Sequence, residues 1–221
     1  MSPPTDVVTP RPVRLEMGGV ALNADLSLAA DALGLVVFAH GSGSSRHSSR
    51  NRAVAKVFQH ARLGTLLLDL LTEREERADD STAEFRFDIP LLADRVVGAI
   101  DWAQTNAATS SLAVGLFGAS TGAAAALIAA GKRPAIVRAV VSRGGRVDLA
   151  EAWLDVVSAP ALLIVGGRDD VVIQLNREAF ERLKGPKDLQ IVPGATHLFE
   201  EPTALDQVAH LARDWFVRHL S

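Results

Sequence analysis

The chain has 221 residues, 48% of them hydrophobic, with 23 basic against 26 acidic side chains and a formal net charge of -3. That length and apolar content suit one large α/β domain with a sizeable core, and the mixed charge offers no basic face or arm to a nucleic acid. No apolar run approaches the ~20 residues a membrane-spanning helix needs, and the absence of cysteine excludes disulfides, thiolate metal sites and a cysteine nucleophile.

Taken in order, residues 1–11 carry three prolines and no periodic pattern, so a flexible tail is expected there and a single domain over 12–221. The first residues have neither the basic nor the apolar segment of a signal peptide, which makes the cytoplasm the expected compartment. Val13 to Met17 and Val20 to Leu28 flank Gly18-Gly19 and predict an antiparallel hairpin. Gly34 to His40 is a continuous apolar run, as in a strand buried on both faces. A helix is expected from about Asn51 to Arg62, where Val54, Val57, Phe58 and Ala61 share a face. Thr65 to Leu70 predicts the next buried strand, and Thr72 to Ala83, rich in Glu and Asp, a solvated acidic loop. Asp88 to Asn106 follows as a helix, with Pro90 in the first turn where its missing N–H is harmless.

The pattern then repeats. Leu112 to Phe117 is a strand ending at Gly118-Ala-Ser-Thr-Gly122 and running straight into an alanine-rich helix. Ala135 to Val141 and Ala161 to Val165 predict strands, ending at Ser142–Arg146 and at Gly166–Asp170. Asp148 to about Leu154 reads as a short helix, Gln174 to Leu183 as a longer one, Leu189 to Val192 as a last strand, and Thr203 to His219 as a final amphipathic helix. Strands alternating with helices over short connections predict a doubly wound, mostly parallel sheet with an antiparallel N-terminal hairpin. Ligands of such sheets bind beyond the carboxyl ends of the strands, where the polar clusters of this chain fall.

Gly118-Ala-Ser120-Thr-Gly122 sits in the strand–turn–helix context that gives Gly-x-Ser-x-Gly its meaning. Glycines let a sharp turn hold the serine in strained geometry while the chain passes closely. A serine hydroxyl is a poor nucleophile near neutral pH and needs a base and an orienting acid. Asp169 and His197 each stand on a post-strand loop downstream, giving the chain order Ser…Asp…His. Asp170 is expected to cap the following helix, and His60, His210 and His219, which fall on helices, are read as structural. The amides of Thr121 and Ser42 are the candidate oxyanion donors. Gly41-Ser-Gly-Ser-Ser is glycine-rich but lacks the Gly-Lys-Ser/Thr ending of a phosphate loop. His40, Arg143 and Arg146 are candidate substrate contacts, the arginines for a carboxylate; solvated surface arginine is the competing reading.

The set His40-Gly-Ser-Gly43, Gly118-Ala-Ser-Thr-Gly122, Gly166-x-x-Asp169-x-x-Val172 and Gly194-x-x-His197 resembles the α/β-hydrolases over nearly the whole chain. The wording Val-Phe-Ala-His-Gly-Ser-Gly-Ser-Ser-Arg is similar to the dienelactone hydrolase-like branch. Some relatives in that branch are fused to phosphoribosyltransferase domains, and the resemblance places no such domain here. The namesake enzymes use a cysteine nucleophile where this chain has Ser120, so the resemblance implies an esterase acting on small or short-acyl esters. No large cap, metal or cofactor is expected, the pocket is expected to be shallow and open, and the protein to be a monomer or homodimer. Thioester hydrolysis or acyl transfer by the same residues, and non-catalytic binding of a small ligand on the same fold, are the alternatives.

Overall fold

The computed structural model describes residues 8–221. Eight strands form one sheet in the order β1-β2-β4-β3-β5-β6-β7-β8. Strands β1 (Arg11–Met17) and β2 (Val20–Ser27) are the predicted hairpin, and β2 also runs antiparallel to β4 (Leu63–Leu68). From β4 onward every pairing is parallel: β3 (Gly34–Ala39), β5 (Val114–Ala119), β6 (Val137–Arg143), β7 (Ala161–Gly166) and β8 (Lys187–Val192). The central strands are buried at every position, which is why they read as unbroken apolar runs.

Helices cover both faces. On one, α1 (Ser49–His60) and α6 (Ala204–Leu220) close over a core containing Phe38, Phe58, Phe117 and Phe216. Phe38 and Phe117 lie 4.9 Å apart between ring centroids, and Phe58 meets Phe216 edge-on, the tilted arrangements that aromatic quadrupoles favour. On the other face lie α3 (Ile89–Thr105), α4 (Thr121–Lys132), α5 (Asp170–Arg182) and a 3-10 helix over Val147–Trp153. Helix α4 is buried from Thr121 to Ala130. Its run of alanines gives a narrow cylinder that can lie close to the sheet.

Among the differences from the sequence reading, three stand out. The expected tail falls mostly on residues 1–7, outside the described residues, and Arg11 already belongs to β1. The expected acidic loop is a helix, α2 (Glu73–Thr82), started by a capping box: Thr72 Oγ1 accepts from Glu75 N–H, and the Glu75 carboxylate accepts from Thr72 N–H. The helix has no apolar stripe to announce it; it docks through charge, Glu75 on Arg95 and Asp79 on Arg86. Helix α5 begins at Asp170 rather than Gln174, with Asp169 at its N-cap and no side-chain capping bond. The capping role expected of Asp170 is therefore not found.

A candidate active site at the carboxyl rim of the sheet

Ser120 stands between β5 and α4 with φ 50° and ψ -121°, a backbone region that L-residues hold only under constraint. The constraint is visible on both sides. A Cβ on Gly118 would overlap the backbone of Gly122 and Ala123, and one on Gly122 would overlap the carbonyls of Ala39 and His40. Hydrogen bonds fasten the turn to the neighbouring loop: Ser120 N–H donates to Arg143 O at 3.1 Å, and Arg146 N–H to Ser120 O at 3.0 Å.

The loops after β7 and β8 bring Asp169 and His197 to the same place. His197 Nδ1 lies 2.6 Å from Asp169 Oδ2, and Nε2 lies 3.3 Å from Ser120 Oγ. With its proton on Nδ1 donated to Asp169, the imidazole presents Nε2 as an acceptor for the Ser120 hydroxyl. Asp169 is mostly buried and His197 about one third exposed, so the pair is shielded yet reachable. This arrangement can deprotonate an attacking hydroxyl and return the proton to a departing oxygen.

The candidate oxyanion donors also converge, with one change. Thr121 opens α4, where backbone N–H groups and the helix dipole face developing negative charge. The Ser42 N–H, however, donates to Thr121 Oγ1 at 3.0 Å, so any other acceptor must compete with that hydroxyl. The loop carrying Ser42 is braced at both ends. His40 Nε2 accepts from Leu70 N–H at 3.1 Å while Nδ1 faces Gly41 O at 2.9 Å. Burial holds this imidazole neutral, against the opposing pull of the Gly41 carbonyl and the Asp69 carboxylate. At the other end Asp69 accepts from Arg46 N–H at 2.8 Å and pairs with its guanidinium.

The three expected substrate contacts differ in how they are held. Both ring nitrogens of His40 are spent on backbone, leaving no polar atom for a ligand. Arg146 makes a bidentate pair with Asp148 at 2.8 and 2.9 Å. Arg143 is only 8% exposed; burial and then the nearby Arg50 pull its pKa down to about 10. The sequence reading missed Asp69, Arg46 and Asn176, whose side chain donates to Gly145 O at 2.8 Å and steadies the loop after β6. Their partners lie 23 to 31 residues away, beyond any local pattern; only the position of Asp69 at a strand end was readable. Among the described residues no group of His, Asp and Glu side chains has the arrangement of a metal site.

Solved structures and curated proteins agree with this architecture. The model of the dienelactone hydrolase family matches residues 66–220. The crystal structure of a dienelactone hydrolase from Anabaena variabilis is 55% identical, with a TM-score of 0.96, over 97% of this chain and 100% of that one. Est1E from Butyrivibrio proteoclasticus shares the fold at 15% identity, with a TM-score of 0.78 over 94% of this chain and 98% of that one. A Mycobacterium tuberculosis protein, provisionally named a phosphoribosyl transferase, is 55% identical over 94% of this chain but only 46% of its own length. The chain thus spans about half the length of the curated relatives it matches. The sheet, the order of its loops and the family match over most of the sequence lead to one conclusion: this chain belongs to the dienelactone hydrolase family.

Proposed function

We propose that the protein is a serine hydrolase that cleaves small carboxylic esters through an acyl-enzyme. The observation that carries this reading is the Asp169–His197–Ser120 hydrogen-bonded series, at 2.6 and 3.3 Å, on a strained strand–helix turn. His197 Nε2 takes the proton of Ser120 as Oγ forms its bond to the ester carbon. Asp169 holds the imidazole in the required tautomer and stabilises its protonated form. The Thr121 amide, with the Ser42 amide once it leaves the Thr121 hydroxyl, faces the oxyanion. His197 then gives its proton to the departing alkoxide as the carbon–oxygen bond breaks. Water, deprotonated by His197, attacks the acyl carbon, and Ser120 leaves with the proton.

Hydrolysis of short-chain p-nitrophenyl esters by wild type and Ser120→Ala tests the reading. The expected result is wild-type turnover and a loss of at least about a thousandfold in kcat for the variant. Equal turnover by both proteins would remove Ser120 from the chemistry. The phosphoribosyl transferase name belongs to relatives more than twice as long as the matched segment, and ester hydrolysis by Ser120 draws nothing from it.

A further inference from the structure

A pocket of about 70 Å³, open to solvent on one side, lies behind the oxyanion loop. The Gly41–Ser45 segment walls it, Leu70, Leu71 and Leu92 floor it, and α2 roofs it. Its place in the sheet gives it a direction. Ser120 follows β5; His197 packs over Gly144 at the end of β6, and Asp169 follows β7. The cavity lies over the ends of β3 and β4, on the opposite side of the serine. In a tetrahedral adduct on Ser120 the departing oxygen must face His197 Nε2 to receive its proton. The alcohol arm of the ester then lies on the β6 side and the acyl arm on the side of the oxyanion loop, where Gly41, whose Cβ would stand 3.1 Å from Ser120 Cβ, joins the serine to the cavity wall.

The lining has a definite chemistry. Arg86 spends Nε on Asp79 Oδ2 at 2.6 Å and Nη2 on Asp79 O at 2.7 Å. Nη1 has no partner among the described residues, and it stands 3.7 Å from the position a Cβ on Gly43 would take. Ser44 and Ser45 also line the wall, and the Ser45 hydroxyl accepts from His47 N–H at 3.2 Å. Asp79 offsets the charge of Arg86, whereas Glu76 and Asp80 form no ion pair among the described residues. A hydroxyl on the acyl chain would accept from Arg86 and donate to a carboxylate, whereas a second carboxylate would be repelled.

Resting on the esterase reading, we propose that this cavity is the acyl subsite and that it selects short hydroxyacyl groups, with Arg86 as the specificity-determining donor. The test compares kcat/KM for ethyl butyrate, ethyl 3-hydroxybutyrate and monoethyl succinate by titrating released acid. The hydroxy ester is expected to exceed butyrate about fivefold, as one added hydrogen bond allows, and the succinate ester to fall below it. In Arg86→Leu the hydroxy-to-plain ratio should drop to within about twofold. Because Arg86 also anchors α2, Leu71→Trp provides a second probe that fills the cavity from its floor. It should cut activity on ethyl butyrate about tenfold more than on ethyl acetate. Hydrolysis with no preference among the three esters, or an equal loss on acetate and butyrate in Leu71→Trp, would overturn the inference while leaving the esterase reading standing. Hydrolysis of none of them by wild type would overturn both.

Discussion

Thr121 shows how much of the site's chemistry depends on single atoms. Its amide opens α4 beside Ser120, but its hydroxyl occupies the Ser42 N–H proposed as the second oxyanion donor. Removing the hydroxyl with the near-isosteric Thr121→Val frees that amide. On this account kcat for small esters rises, by up to about tenfold, the worth of one competing hydrogen bond. A fall of about a hundredfold would instead make the Thr121 hydroxyl itself the oxyanion donor; steady-state kinetics separate the two. The motif Gly-x-Ser-x-Gly made Ser120 and the Thr121 amide legible, because the glycines are demanded by backbone contacts that recur wherever this turn is built. The fate of the Thr121 hydroxyl was not legible: it depends on Ser42, 79 residues away.

Among the elements, α2 is where local pattern and tertiary structure part. A helix without an apolar stripe reads as loop, and hydrophobic periodicity gave no sign of it. The sign lay in chemistry, Thr72 three residues before Glu75. Its far end is held by Asp79, which is nearly inaccessible. Burial opposes ionisation of that carboxyl, but hydrogen bonds from the Arg86 amide and guanidinium and from the Phe85 amide outweigh it and hold the pKa below its ordinary value. The folded state then binds fewer protons than the unfolded chain in the acid range, so this contribution is full above the ordinary carboxylate pKa and is lost as pH falls through the folded one. Wild type should exceed Asp79→Asn in stability by about 1–3 kcal/mol at pH 7, and the gap should narrow below about pH 4. Thermal melts across that range check it; a gap independent of pH would mean the carboxylate charge is not what holds α2.

For the whole molecule, alternation of buried strands with helices was enough to predict the doubly wound sheet, since strands buried on both faces leave unbroken apolar runs, and the Gly18-Gly19 turn between two short strands marked the hairpin. The order Ser120, Asp169, His197 follows from that topology, each residue in a loop beyond a strand end. What topology did not reveal was which charged residues turn inward. Arg143, at the end of β6, buries a guanidinium Nη1 with no hydrogen-bond partner among the described residues, close to Arg50. A buried, unpaired charge destabilises the fold. Arg143→Met should raise stability by about 1–3 kcal/mol, the cost of leaving a buried donor unsatisfied. Denaturant melts measure this, and a loss of stability would show that the guanidinium has a favourable role in the core.

The proposed chemistry makes Ser120 a nucleophile activated by His197. Labelling with a fluorophosphonate, read by intact mass and peptide mapping, tests it without knowledge of the substrate. One adduct per chain is expected, on Ser120, with labelling slowed by at least about a hundredfold in His197→Ala. No adduct on Ser120, or labelling at the same rate without His197, would contradict it.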